Sequence, residues 1–273
     1  MKRLLPLVAV AALVSTLAAC GGGGGSNNNT TTGAASNVPN PIVFCVDTTY
    51  PPAESIVNGK AAGYDIDIAD AVAKQLGSTA QIKTTGFSVI IGALKAKKCN
   101  AIISSMTITP ERSKVIDFVP YVNVGAFLMV KKGNPDNIST LASLSGKSAA
   151  VESATTELAG LQAENKKLQA AGKPPITIKS YPADTSAAQA ILHGHVSAYF
   201  ADAPPVLYYI RTTHGQFQTA GQQVETAPEG IGVRKGDPLL RQIKNAVQAL
   251  YLNGKMKTIL AKWQASQFAL KNP

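Results

Sequence analysis

Apolar and polar positions along this chain change period every few residues, and the changes mark out short strands and helices. The apolar run 41–46 ends at Asp47 and meets Thr48-Thr49-Tyr50-Pro51-Pro52, where proline cannot continue a ladder, so a strand gives way to a loop. Gly63-Tyr64-Asp65-Ile66-Asp67-Ile68 opens a helix to about Leu76, since Ile66, Ala69, Val72, Ala73 and Leu76 fall on one face and Gly77 stops it. Residues 80–84 read as a strand and 87–97 as a helix carrying Phe87, Ile90, Ile91 and Leu94. Ala101-Ile102-Ile103 ends a buried strand, 104–107 is a polar exit loop, and Thr109-Pro110-Glu111-Arg112 has the cap and proline of a helix start.

Beyond Phe118, 119–123 leads into 124–130 and the turn Gly133-Asn134-Pro135, and the pattern then begins again. Strands are expected at 147–151, 176–180 and 196–200. Helices are expected at 141–144, 155–171, 184–193 (capped by Asp184) and 204–213. Two more, 239–252 and 255–268, close the chain, with Trp263 as a core residue. Strands alternating with helices predict α/β architecture with mainly parallel sheets covered on both faces. Two such runs predict two lobes: 41–124 with 230–273, and 125–229. Crossings near Val124 and Gly230 form a two-segment hinge.

The chain has 273 residues, 45% of them apolar, enough for one large core or two modest ones. Residues 1–19 read as an export signal, with Lys2 and Arg3 ahead of an apolar stretch, 4–17, too short to span a bilayer as a mature helix. Leu17-Ala18-Ala19-Cys20 resembles the lipobox of bacterial lipoproteins, so Cys20 is expected to carry lipid and 20–40, rich in Gly, Ser, Asn and Thr, to be a flexible tether in the cell envelope. Without Lys2 and Arg3 the formal charge of +10 falls to +8. The lysines are scattered and no recognition motif appears, which argues for a solvated basic surface and against nucleic acid. Export permits a Cys45–Cys99 disulfide, because Cys99 directly precedes the strand expected beside that of Cys45; two free buried thiols are the alternative.

The candidate chemistry centres on Arg112. Free N–H groups at a helix start attract an anion, and a guanidinium one turn in can grip both oxygens of a carboxylate. Asp202, in Phe200-Ala201-Asp202-Ala203-Pro204, either caps the next helix or supplies an acid to a cleft. Asp47 and Tyr50 read as a turn-former and a half-buried aromatic unless their loop forms a cleft wall. Asp65, Asp67 and Asp70 complement the dipole of their helix as capping acids. His193, His195 and His214 have no metal-site spacing, and no phosphate loop or nucleophile elbow appears, so neither metal, cofactor nor catalytic group is expected.

The run S-S-M-T-I-T-P-E-R-S-K-V-I-D-F at 104–118, T-Y-P-P followed by G-Y-D-I-D, and the A-D-A-P turn together resemble the family 3 periplasmic solute-binding proteins, which deliver polar amino acids to ABC importers. The resemblance covers 41–268 and implies the two-lobed type II periplasmic-binding-protein fold. It implies that Arg112 holds a substrate α-carboxylate with the Ser153-Ala154-Thr155-Thr156 turn, and that Asp202 holds the ammonium with Ser105 and Thr107. Ser104 and Met106 share that loop, and Tyr50 and Phe87 lie against the ligand side chain. Asp47 and Glu152 together suit a cationic one, lysine, arginine, ornithine or histidine, and a neutral polar amino acid fits equally if Glu152 points to solvent. The family's usual glycine, aspartate cap and proline are here Ala154, Ser88 and Gly92. The expected protein is a monomeric, lipid-anchored, non-enzymatic partner of an ABC permease. Two alternatives stand beside it: a dehydratase of prearomatic acids on the same fold, with Glu152 as general acid, and a receptor's ligand-sensing domain.

Overall fold

The computed structural model describes residues 38–224 and 226–273. The export signal, Cys20 and most of the tether lie outside them. The first stretch of chain comprises β1 (Ile42–Val46), β2 (Thr49–Tyr50), β3 (Glu54–Val57), β4 (Lys60–Ala62), α1 (Tyr64–Gln75), β5 (Ala80–Thr84), α2 (Phe87–Lys95), β6 (Ala101–Ile102), α3 (Pro110–Ser113) and β7 (Ile116–Val124). A second follows with β8 (Ala126–Lys131), β9 (Ser148–Glu152), α4 (Thr156–Ala170), β10 (Thr177–Tyr181), α5 (Asp184–Leu192), β11 (Ala198–Asp202), α6 (Ala203–Thr212) and β12 (Phe217–Ala220). The chain returns through β13 (Ala227–Arg234) and ends in α7 (Leu239–Leu252), α8 (Lys255–Lys262) and a short 3-10 turn.

Two five-stranded sheets, ordered β5-β1-β6-β13-β7 and β10-β9-β11-β8-β12, define two lobes. Both are mixed rather than mainly parallel. β1 runs parallel to β5 and β6, and β9 to β10 and β11, but β13 is antiparallel to β6 and β7, and β8 to β11 and β12. The crossing strands cause this: β7 passes into β8 through Gly125 alone, with no crossover helix to reverse the chain. Side chains of the second sheet divide by period two, with Leu128, Val151 and Phe200 in one buried cluster and Met129, Ala150 and Tyr199 in the other. Both faces are therefore covered, as expected.

The two crossings touch. Val224 N–H donates to Ala126 O (2.8 Å), and a β-carbon at Gly125 would lie 2.5 Å from Val224 O, so only glycine lets the segments approach this closely.

Several expectations change. The hairpin sheet β2-β3-β4 replaces a loop, turning at Asn58 (φ 51°) and Gly59 (φ 75°), and β12 adds an edge strand to the second sheet. α2 stops at Lys95, and the last helix breaks after Lys262, leaving Trp263 half-buried with its indole N–H on Asp67 Oδ2 (2.7 Å). α3 is one turn only, so its dipole adds little, although Thr109 does cap it by accepting from Arg112 N–H (3.2 Å). The carboxylates read as caps have other work. Asp184 is wholly buried and takes the Tyr199 hydroxyl, while Ala183 holds the cap position of α5. Asp65 is likewise buried and accepts from Ser105 N–H (2.8 Å) and Tyr121 Oη (2.9 Å). Helix α1 instead starts at Gly63, where a β-carbon would lie 1.9 Å from Ala53 O.

Candidate ligand-binding cleft

The carboxyl ends of β1, β6, β9 and β11 converge on one cleft, as open α/β sheets predispose. It is lined by Asp47, Tyr50, Glu54, Phe87, Ser104, Ser105, Thr107 and Arg112 from the first lobe, and by Glu152, Thr155, Thr156, Glu157 and Asp202 from the second, around 290 Å³ of space.

The loop after β6 is held from below. Ser104 Oγ accepts from Asp47 N–H (2.9 Å) and donates to Glu54 Oε1 (2.9 Å), and Asp65 pins the N–H of Ser105, whose φ is 39°. Asp47 is itself largely engaged: Oδ1 takes Thr49 N–H and Oγ1 (3.1 and 2.7 Å), and Oδ2 takes Phe87 N–H (2.6 Å), capping α2 from a neighbouring strand. The cap residue of α2 itself, Gly86, offers no side chain for this role.

Arg112 spans the cleft mouth. Its Nη1 donates to Thr107 O (2.8 Å), Nη2 to Ala154 O in the other lobe (3.1 Å), and its guanidinium lies 5.4 Å from the Phe87 ring centre. Two of five N–H donors are thereby used, leaving three. The Thr107 carbonyl accepts from Arg112, and its hydroxyl lies 3.4 Å from that of Thr156. Opposite, Asp202 makes no cap bond to α6; Oδ2 accepts from the Tyr50 hydroxyl (2.9 Å). Tyr50 to Asp202, Arg112 to Ala154, and Asp184 N–H to Thr49 Oγ1 (3.2 Å) are direct bonds between lobes.

Two expected residues do not line the cleft. Met106 packs in a core cluster with Cys45, Cys99 and Ile90, and Ala154 (φ 64°) contributes only its carbonyl. Cys45 and Cys99 are joined in a disulfide with α-carbons 5.7 Å apart. Ser153 turns its hydroxyl away, to Ser180 Oγ (2.7 Å) and Tyr181 O (2.8 Å). Glu54 and Glu157 also line the cleft, and no local pattern marks them. An acid in the first turn of α4 reads locally as a dipole partner, and only the fold shows Glu157 facing Asp202.

Five carboxyl groups and one guanidinium line the cleft. Burial, then the charges of Asp184, Asp47 and Glu157, pushes Glu152 up to about 10, and its Oε1 has no hydrogen-bond partner. Asp184 behind it is raised to about 8, mainly by burial. Asp202 is raised well above the carboxylate range by burial and by the neighbouring charge of Glu157. An acid whose pKa rises on folding stabilises the fold fully below its unfolded value, and that stability is lost as pH rises through the folded value. For Glu152 and Asp184 the loss runs from about pH 4 to pH 8–10. The ligand-free melting temperature should therefore fall by roughly 5 °C or more between pH 5 and 9, with a shallower fall in Glu152→Gln. Equal slopes in the two proteins, followed by circular dichroism, would contradict this.

Two α/β lobes joined by paired extended crossings, with a cleft at the strand ends, make up the type II periplasmic-binding architecture. The chain belongs to the bacterial extracellular solute-binding proteins, family 3, whose model matches residues 42–266. It is 33% identical over 231 residues to ABC transporter arginine-binding protein 1 of Escherichia coli K12, covering 81% of this chain and 90% of that protein. It is 27% identical over 221 residues to the L-cystine-binding protein TcyJ of the same strain, covering 80% of each. A solved ancestral arginine-binding protein bound to arginine superposes with a TM-score of 0.76 at 34% identity, over 82% of this chain and 98% of that one. No helix of the described residues is long and apolar enough to cross a membrane.

Proposed function

We propose that this protein captures a free amino acid with a cationic side chain between its lobes and presents it to an ABC permease. The observation that carries the reading is the lining of the cleft, five carboxyl groups to one guanidinium: burial raises these acids while the cleft is empty, and a bound cation offsets that by favouring their charged forms. Arg112 takes the α-carboxylate with its remaining donors. Asp202, the Ser105 carbonyl and the Thr107 hydroxyl take the ammonium. Glu152 and Asp47, at the other end, meet the distal cation, and Tyr50 and Phe87 flank the chain between. A zwitterion touching both lobes favours the closed form, with 41–124 plus 230–273 and 125–229 rotating about the paired crossings. The similarity to an arginine-binding relative supports the cationic preference. In the same reading the protein acts as a monomer at the cell envelope, tethered through lipid on Cys20.

A thermal-shift screen with the twenty amino acids, ornithine and citrulline tests this. Cationic amino acids should raise the melting temperature most, because a ligand of the native state stabilises by mass action. A larger shift from neutral or acidic amino acids would refute the preference. Glu152, held protonated at neutral pH, also has the form of a general acid. Turnover of prephenate or arogenate would favour the dehydratase reading instead.

A further inference from the structure

Glu229 lies on β13, the strand by which the chain re-enters the first lobe, and it is 1% exposed. Neither of its carboxyl oxygens has a hydrogen-bond partner among the described residues. The Ser105 hydroxyl is close by, but it pairs with Tyr64 Oη (3.2 Å). A carboxyl this deep and without a donor is costly unless a cation comes to it.

The backbone sets it beside the cleft, just behind the residues that line it. Ile108 N–H donates to Pro228 O (2.8 Å), Gly230 N–H donates to Met106 O (3.0 Å), and Thr107 and Glu229 form an antiparallel bridge. Paired residues in such a bridge project to the same side, and Thr107 lines the cleft. The register of β13 shifts between Glu229 and Gly230, a bulge of the kind that redirects a side chain beside a site. The charges bearing on Glu229 are Asp202 first, then Asp65 and Glu157, and the guanidinium of Arg112 feels Glu157, Asp202 and Glu229 together. The phenols of Tyr64 and Tyr121 lie in the same field. One guanidinium thus faces three acids.

We propose that Glu229 is a third acid of the ammonium-binding end of the cleft, supplied by a crossing strand to complete an anionic ring with Asp202 and Glu157. The proposal rests on the amino-acid-binding reading above. It places one of the ligand's anchors on the hinge itself, so that ammonium capture draws together both lobes and the strand that joins them.

Calorimetric titration of wild type and Glu229→Gln tests it with two pairs of probes: L-arginine and 5-guanidinopentanoate, and L-lysine and 6-aminohexanoate. The second member of each pair lacks only the α-amino group. The variant should bind the amino acids about tenfold or more weaker and the desamino acids within about threefold of wild type, because only the former bring the ammonium. Unchanged amino-acid binding, or equal losses for both members of a pair, would overturn the assignment while leaving the general reading intact. Failure of the wild type to bind any free amino acid would refute both. The ligand-free variant should melt at or above the wild-type temperature, since an unpaired buried acid has been removed. A melt well below it would mean that Glu229 serves a structural partner, and would also overturn the proposal.

Discussion

Arg112→Ala should abolish the rise in melting temperature that L-arginine gives the wild type. Truncating one member of a desolvated, hydrogen-bonded charge pair costs about 2–5 kcal/mol, which is roughly 30-fold to several thousandfold in affinity. The loss should sit near the upper end. The guanidinium is the one cationic group lining the cleft, and its alanine replacement leaves Asp202 and Glu157 facing a ligand carboxylate with nothing to offset them. Arg112→Lys separates charge from shape, because an ammonium keeps the sign but lacks the planar fork. Partial recovery in the lysine variant is expected. The guanidinium also joins the lobes through Ala154 O, so the ligand-free alanine variant should open more readily while its lobes stay folded. A ligand shift of wild-type size in Arg112→Ala would mean that the carboxylate binds elsewhere.

The second large effect is on stability. The Cys45–Cys99 bridge closes a loop with a sequence separation of 54 and ties β1 to the segment entering β6. Restricting the unfolded chain over a loop of this length is worth about 4 kcal/mol in the loop-entropy model, or very roughly 10 °C in a domain of this size. Both strands lead into cleft loops, β1 to Asp47 and β6 to Ser104, and the Ser104 hydroxyl bonds the Asp47 backbone. The Cys45→Ala/Cys99→Ala double variant should therefore melt about 10 °C lower by differential scanning calorimetry. A change under about 2 °C would mean that the unfolded chain is already restricted without the bridge.

Much of the scaffold is legible from period alone. The apolar stripe of α1 and the glycine that ends it, the limits of β5, and the Thr109-Pro110 start of α3 all follow from local chemistry. What escapes local reading is what depends on distant partners. β2, β3 and β4 are two to four residues long, with two prolines between the first and the second, too short for alternation to register, although Asn58-Gly59 is a hairpin signal in its own right. Asp65 and Asp184 look like first-turn helix acids. Their burial depends on Tyr121 and Tyr199, which the topology brings to them from other strands.

The cleft divides in the same way. Arg112 and Asp202 come to one site from motifs that stand out in the chain, with their roles supplied by family resemblance. Glu54 and Glu157 carry no local mark, and Met106, inside the most recognisable segment, turns into the core. Asp47 is the instructive middle case. It lines the cleft, yet its oxygens hold Thr49 and the start of α2, a tertiary cap that no local pattern announces.

The most direct measurement is a crystal structure of the protein grown with L-arginine. The α-carboxylate should lie against the Arg112 guanidinium, the ammonium within hydrogen-bond reach of Asp202, and the distal guanidinium at the Glu152 end. An arginine bound in the reverse sense, or seated outside the space between the lobes, would contradict the assignment.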